Sequence, residues 1–154
     1  MTRPINFCSG PAALPLEVLQ RVQAECMDFE GSGISVMEHS HRDDRIVSLF
    51  ADTEARLLRL LGIPSGYRAL FLPGGATLQF SQVPLNLLTD DRPGAYLTTG
   101  AWSEKAVKEA RKFGSVVEVA SSRASGYTTI PDKAEWQVPA DARYFHICTN
   151  ETIH

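Results

Sequence analysis

The sequence predicts an α/β fold, a mostly parallel sheet flanked by helices and preceded by an irregular N-terminal arm. Three observations predict it. From residue 67 onward, short apolar runs alternate with segments of helical periodicity, the β-α-β order that builds parallel sheets. One of those runs, Ala69-Leu70-Phe71-Leu72, breaks abruptly into Pro73-Gly74-Gly75, and a helix-compatible stretch starts at once. Ahead of residue 15 there is neither a strand period nor a helix period, only Ser9-Gly10-Pro11 and a second proline.

Each element follows from local pattern. After Pro15, which suits a helix start, Val18/Leu19, Val22, Cys26 and Phe29 recur at three-to-four spacing, and Gly31-Ser32-Gly33 closes the segment. A non-periodic stretch, Ile34 to Arg42, comes next. A long helix is expected from Asp43-Asp44, where acidic residues favour the positive end of the helix dipole. Its apolar face is Ile46, Leu49, Phe50, Thr53, Leu57, Leu60 and Leu61, and Gly62 and Pro64 stop it. A strand Tyr67–Leu72 then leads through the Gly-Gly turn into a helix reaching about Leu88. A strand Ala95–Thr98 leads through Gly100-Ala101-Trp102 into a helix reaching about Phe113. A strand Ser115–Ala120, a polar stretch with Gly126, Pro131 and Pro139, and a last strand Tyr144–Cys148 complete the series.

The 154 residues suffice for one domain with a core, and 44% apolar with 21% charged residues is a globular composition. A net charge of −3 gives no basic surface for nucleic acid or anionic membrane. No apolar run approaches a membrane span and no leader pattern is present, so a cytoplasmic setting is expected. The three cysteines, Cys8, Cys26 and Cys148, have no metal-binding spacing, and no metal site is expected. The sequence stops just past an apolar strand-like run, so the chain is expected to be the N-terminal part of a longer polypeptide.

The chemistry gathers where strands end. A strand turning through glycines into a helix leaves free N–H groups and partial positive charge, a cradle for an anion. Gly74-Gly75-Ala76-Thr77 has that form, with a hydroxyl added by Thr77. It is neither a Walker loop nor a dinucleotide fingerprint, and alone it reads equally well as a plain turn. Two further strand ends carry Gly100-Ala101-Trp102 and Thr149-Asn150-Glu151-Thr152. Ligands of open α/β sheets sit at such ends. An anion cradle, an indole and a hydroxyl together suit a planar aromatic ligand bearing a phosphate, and pyridoxal phosphate fits.

Six segments, in order, resemble the phosphoserine aminotransferase family of fold-type I pyridoxal-phosphate enzymes. They are Asn6-Phe7-Cys8-Ser9-Gly10-Pro11-Ala12, Met37-Glu38-His39-Ser40-His41-Arg42, Phe71 to Phe80, Pro84-Leu85-Asn86-Leu87-Leu88, Gly100-Ala101-Trp102-Ser103 and Asn150-Glu151-Thr152-Ile153-His154. The resemblance implies an aspartate-aminotransferase-like large domain, present in part: an arm over 1–14 and the N-terminal portion of the cofactor-binding domain over 15–154. It implies transamination between L-glutamate and a phosphorylated 2-oxo acid, 3-phosphohydroxypyruvate, giving O-phospho-L-serine and 2-oxoglutarate, with a possible second use in vitamin B6 synthesis. It implies pyridoxal phosphate as cofactor and a homodimer as the assembly.

It also implies residue roles. Ala76 and Thr77 would hold the cofactor phosphate, Trp102 would stack on its ring, and Thr152 would bond its phenolic oxygen side. Arg42 would take the substrate carboxylate and His41, from the neighbouring subunit, the substrate phosphate. Ser9 and Gly10 would line the substrate pocket. The family's Schiff-base lysine falls beyond His154; Lys105, Lys108 and Lys112 read as a wet helix face, so no catalytic residue is assigned in this chain and it is expected to be inactive alone.

Plainer readings stand beside these. Trp102 reads as a core tryptophan, Arg42 with Asp43 and Asp44 as a surface ion-pair cluster, Thr152 as a cap, and Cys8 as a shielded thiol with no activating base. His39 and His41 share a spacing found in metal sites but lack further ligands. The rival functions are another fold-type I enzyme, a non-catalytic binding fragment, and a generic nucleotide-binding domain, the last lacking the acidic ribose-binding residue.

Overall fold

The computed structural model describes residues 3–152. The chain divides into two compact units, Met1–Phe71 and Leu72–His154.

In the first unit the arm is organised by Asn6. Its amide donates to the Pro11 carbonyl at 2.6 Å and its side-chain oxygen accepts from Cys8 N at 3.0 Å. The Ala12 N–H bonds the Gly10 carbonyl at 2.8 Å. Helix α1 spans Leu16–Glu25, with Pro15 as its N-cap. It stops one turn short of Phe29, where the spacing placed its end. The reason is a competing turn. The Asp28 carboxylate accepts from Gly33 N at 2.7 Å and Phe29 N bonds the Ile34 carbonyl at 2.9 Å, which folds 28–34 back on itself and buries Phe29.

Helix α2, Asp44–Leu60, starts where the acidic pair predicted. Asp43 is the N-cap, and its side chain accepts from Arg45 N at 2.9 Å. Its end is a Schellman motif: Gly62 N bonds Arg59 O at 3.2 Å and Ile63 N bonds Leu58 O at 2.9 Å, with Gly62 at φ 63°. A left-handed residue is required there, and glycine takes it without cost.

Residues 67–72 form no strand, against expectation. The segment is extended and apolar, but a strand exists only against a partner, and none pairs with it among the described residues. Instead, Ala69 N donates to Glu54 Oε1 at 2.9 Å, Arg68 grips the same carboxylate at 2.6 and 2.9 Å, and Phe71 packs on Phe50 at 5.4 Å between ring centroids.

The second unit carries helix α3 (Gly75–Leu87), strand β1 (Gly94–Thr98), helix α4 (Ala101–Ala110), strand β2 (Val116–Ser121) and strand β3 (Tyr144–His146). The strands form a parallel sheet in the order β2-β1-β3. The last strand ends two residues before the predicted Cys148. Strand β1 is central and every residue in it is buried.

Side chains of successive strand residues point to opposite faces. On one face Tyr96 packs with Ala106, Val107 and Ala110 of α4, joined by Phe80 of α3. On the other, Ala95, Leu97 and Val119 form a second cluster, covered by Trp136 and Ala142 from the 122–143 connection. A bulge in β2 passes over Val119, since Tyr96 pairs with Glu118 and Leu97 with Ala120. Because β1 and β3 are adjacent and parallel, their carboxyl ends are neighbours.

Candidate functional site

Two helices of the second unit begin at glycines. At α3, Gly74 is left-handed with φ 84° and Gly75 follows at φ 59°. A Cβ on Gly74 would lie 2.6 Å from Leu78 Cβ, so that position admits no side chain on steric grounds either. Among the described residues no side chain caps this helix, and residues 74–77 are exposed. The N–H groups of a first helical turn have no intrahelical partner. Ala76 and Thr77 therefore present an open, electropositive helix start, with the Thr77 hydroxyl beside it.

Helix α4 starts differently. The Glu151 carboxylate sits on it, accepting from Trp102 N at 2.9 Å through one oxygen and from Ser103 N at 2.9 Å through the other. This is an N-terminal cap supplied from 48 and 49 residues away. Gly100 leaves room for it: a Cβ there would meet Glu151 Cδ and Oε2 at 2.6 Å. Its φ of 171° is ordinary extended backbone, so the space alone demands glycine. The buried Ser103 hydroxyl completes the turn, accepting from Thr99 N at 2.8 Å and Gly100 N at 3.0 Å and donating to Gly100 O at 2.9 Å. Sequence reasoning missed Glu151 because a cap borrowed from another strand end leaves no local spacing signal.

Of the four expected cofactor residues, two meet directly. The indole Nε1 of Trp102 donates to Thr152 Oγ1 at 2.8 Å. Trp102 is half-buried, so it is no core tryptophan, and Thr152 is exposed. The ammonium of Lys105 lies 5.5 Å from the indole centroid, a cation–π contact on one face of the ring. Lys105 is thus half-buried and engaged, which corrects its reading as part of a wet helix face. Lys108 is exposed, and Lys112 pairs with Glu109 at 2.8 Å.

Beside this wall a pocket of about 320 Å³ opens at the carboxyl ends of β1 and β3, lined by Thr99, Tyr127, Thr128, Cys148, Thr149 and Glu151 among its residues. Burial pushes the Cys148 thiol up, which keeps it protonated and a poor nucleophile. Beneath the sheet face, His146 stacks on Tyr96 at 4.9 Å, and Tyr96 shares a 2.6 Å hydroxyl bond with Tyr144. Burial lowers the His146 value from its ordinary 6.5.

In the first unit the substrate residues sit on two loops. Ser9 and Gly10 are exposed on the arm turn held by Asn6, with Gly10 at φ 106°. His41 and Arg42 are exposed just ahead of α2. No hydrogen bond among the described residues joins the two loops. The expected alternative for Arg42, an ion pair with Asp43, is not what forms. The Asp43 carboxylate caps Arg45 N and meets His39 Nδ1 at 3.2 Å, and those two bonds hold its carboxyl below the usual range.

His39 also meets Ser32 Oγ at 2.9 Å through Nε2 and packs edge-on against Phe29. This Ser32–His39–Asp43 chain has the connectivity of a nucleophilic triad but not its surroundings. Ser32 Oγ also lies 3.1 Å from the Ile34 carbonyl, and the neighbouring Gly33 N–H, which would be needed for an oxyanion, is held by Asp28. It braces the 32–43 segment. Cys8 is exposed, which corrects its reading as a shielded thiol.

With this geometry in hand, the likenesses to known proteins are specific. The phosphoserine aminotransferase of Ectopseudomonas mendocina is 50% identical over 151 residues, 98% of this chain and 42% of the relative. That of Azotobacter vinelandii is 52% identical over the same length. Among solved structures, phosphoserine aminotransferase from Bacillus circulans subsp. alkalophilus superposes with a TM-score of 0.92 at 48% identity, covering 98% of this chain and 42% of that one. A pyridoxal-phosphate-bound phosphoserine aminotransferase from Trichomonas vaginalis gives 0.85 at 38% identity and covers 97% of this chain and 42% of that one. The chain thus spans about 42% of the length of the curated relatives it matches. Its α/β fold is part of the fold-type I large domain of these enzymes. A family model for aminotransferase class-V matches residues 5–154, and the chain belongs to that family.

Proposed function

We propose that this chain supplies part of the cofactor and substrate site of a pyridoxal-phosphate-dependent phosphoserine aminotransferase, which moves an amino group between L-glutamate and 3-phosphohydroxypyruvate. Residues 1–14 act as the arm and 15–154 as the N-terminal portion of the large domain. The whole enzyme works as a cytoplasmic homodimer.

The reading rests on one observation above all: Trp102 and Thr152, 50 residues apart in sequence, are hydrogen-bonded side by side. The surroundings fit the cofactor. The uncapped start of α3 has donors and dipole for a phosphate. The Trp102 ring is tethered at its N–H and backed by Lys105, which leaves a fixed face for stacking. Because Thr152 Oγ1 accepts the indole proton, its own O–H is left to donate to a ring oxygen of the ligand. Bound there, pyridoxal phosphate supplies the electron sink that transamination needs.

The chain's own residues then bind and orient. Ala76 and Thr77 hold phosphate through N–H groups and hydroxyl. Trp102 fixes the ring plane. Arg42 offers a guanidinium with no ion pair among the described residues for a substrate carboxylate, and His41 stands beside it for the substrate phosphate, from the neighbouring subunit. Ser9 and Gly10 line the substrate side. No lysine here lies at a strand end: Lys105, Lys108 and Lys112 belong to α4 and the turn after it, and Lys133 to a short 3-10 turn over Lys133–Glu135. No proton transfer is therefore assigned to this chain.

Titrating the chain with pyridoxal phosphate tests the reading. Trp102 fluorescence should be quenched with saturation, without the absorption band of a lysine-linked cofactor, and Thr152→Val should weaken binding about fivefold, the size of one hydrogen bond. Absence of saturable quenching would sink the reading. In the full-length protein, turnover of phosphoserine should exceed that of alanine or cysteine.

A further inference from the structure

Helix α4 begins at the carboxyl end of β1 with Gly100-Ala101, the kind of sequence that makes an anion site. That helix end already holds an anion, the Glu151 carboxylate, in two bonds of 2.9 Å. Gly100 is shaped around it, with no room for even a Cβ. The next residue, Thr152, accepts a hydrogen bond from the indole N–H of Trp102. A single dipeptide thus closes the helix start and grips the ring.

We propose that Glu151 is a specificity-determining and positioning residue: an internal carboxylate that closes the start of α4 to phosphate and directs a phosphate-bearing aromatic ligand to the open start of α3. The second half of this inference rests on the proposed function; the first does not. The physical basis is competition. Both helix ends carry the same partial charge and the same free N–H groups. If both were open, a phosphate would divide between them, and a ligand anchored at α4 would sit with its phosphate where its ring should stack. A tethered carboxylate occupies α4 at an effective concentration no free ion matches. It also repels a second anion.

The experiment uses this chain with Trp136→Phe, which leaves Trp102 as its sole fluorophore of that kind, since the sequence holds two tryptophans. Inorganic phosphate is titrated against chloride at equal ionic strength, which cancels screening. With Glu151 present, phosphate should reach only the open start of α3, and its effect on Trp102 emission relative to chloride is the baseline. With Glu151→Gln, which keeps the size and one acceptor but not the charge, phosphate and not chloride should give a further saturable change. Glu151→Ala should give a larger one. Loosening of the fold would not tell phosphate from chloride, so the anion-selective response separates a closing role from a merely structural one.

Pyridoxal phosphate is then titrated. In Glu151→Gln the ligand should divide between two helix starts, so overall binding should not weaken, while the saturable quench of Trp102 by ring stacking should shrink about twofold. If phosphate acts identically with and without Glu151, the proposal is overturned. If Glu151→Gln gains the further phosphate response but the parent chain never binds pyridoxal phosphate, the closing role stands and the proposed function falls. Thr152→Val is the control: it should shift Trp102 emission without creating a further phosphate response, and a further response there would also count against Glu151.

Discussion

Helices α3 and α4 of the second unit both start at glycine, and the two glycines answer different demands. Gly74 is needed for its backbone, left-handed at φ 84° and pressed against Leu78. Gly100 is needed for the space above an ordinary extended backbone, space that Glu151 fills. The first helix start is exposed and uncapped. The second is half-buried and capped by a residue almost fifty positions away. The lesson is that a Gly-led helix start marks a place where an anion can sit, and whether the anion is a ligand or the protein's own carboxylate is decided elsewhere in the chain.

Substitutions can break this contrast. Gly74→Ala should be the most damaging, since strain and overlap add: a loss of about 2–4 kcal/mol is expected from the unfolding midpoint in urea. Gly100→Ala should cost about 1–3 kcal/mol by displacing the Glu151 carboxylate. That cost should vanish in a Glu151→Ala background, where nothing remains to collide with, and a double-mutant cycle measures the difference. Equal penalties in both backgrounds would refute the space argument. Gly75→Ala has open room and only its φ of 59° to resist it, so about 1 kcal/mol is expected.

A pH titration gives the smallest effect and touches the α4 start through Glu151, whose charge partly offsets the effect of burial on His146. His146 has a folded value below its ordinary 6.5, so the unfolded chain binds more protons between the two. Its contribution to stability is therefore full above about pH 6.5 and declines as pH falls through that value. His146→Phe should flatten this part of the stability profile, and an unchanged slope would remove His146 as its source.

The sequence made much of this legible for a physical reason. Asp43-Asp44, Gly62 and the alternating runs after residue 90 are local signals, and α2, β1, α4 and β2 arise within a few residues of where those signals put them. The misses come from partners that are not local. Residues 67–72 have strand composition but no ladder partner. Helix α1 loses its last turn to the Asp28–Gly33 bond. At the candidate site, Trp102 and Thr152 lie at strand ends that local pattern marks, and their contact has no local signal; neither has Glu151, which holds the Trp102 backbone. Helix periodicity puts Lys105 on a wet face, and periodicity does not report what a long side chain folds back upon.

Among the described residues strand β3 has a ladder partner on one side only, β1, while Phe145 and the following Ile147 stay 39% and 49% exposed. Its outer rim is consequently a template, with unmet main-chain donors and acceptors and apolar residues alternating along it. Raising the concentration of the isolated polypeptide should therefore recruit a further extended segment onto that rim, and Phe145→Lys should suppress the association seen by light scattering.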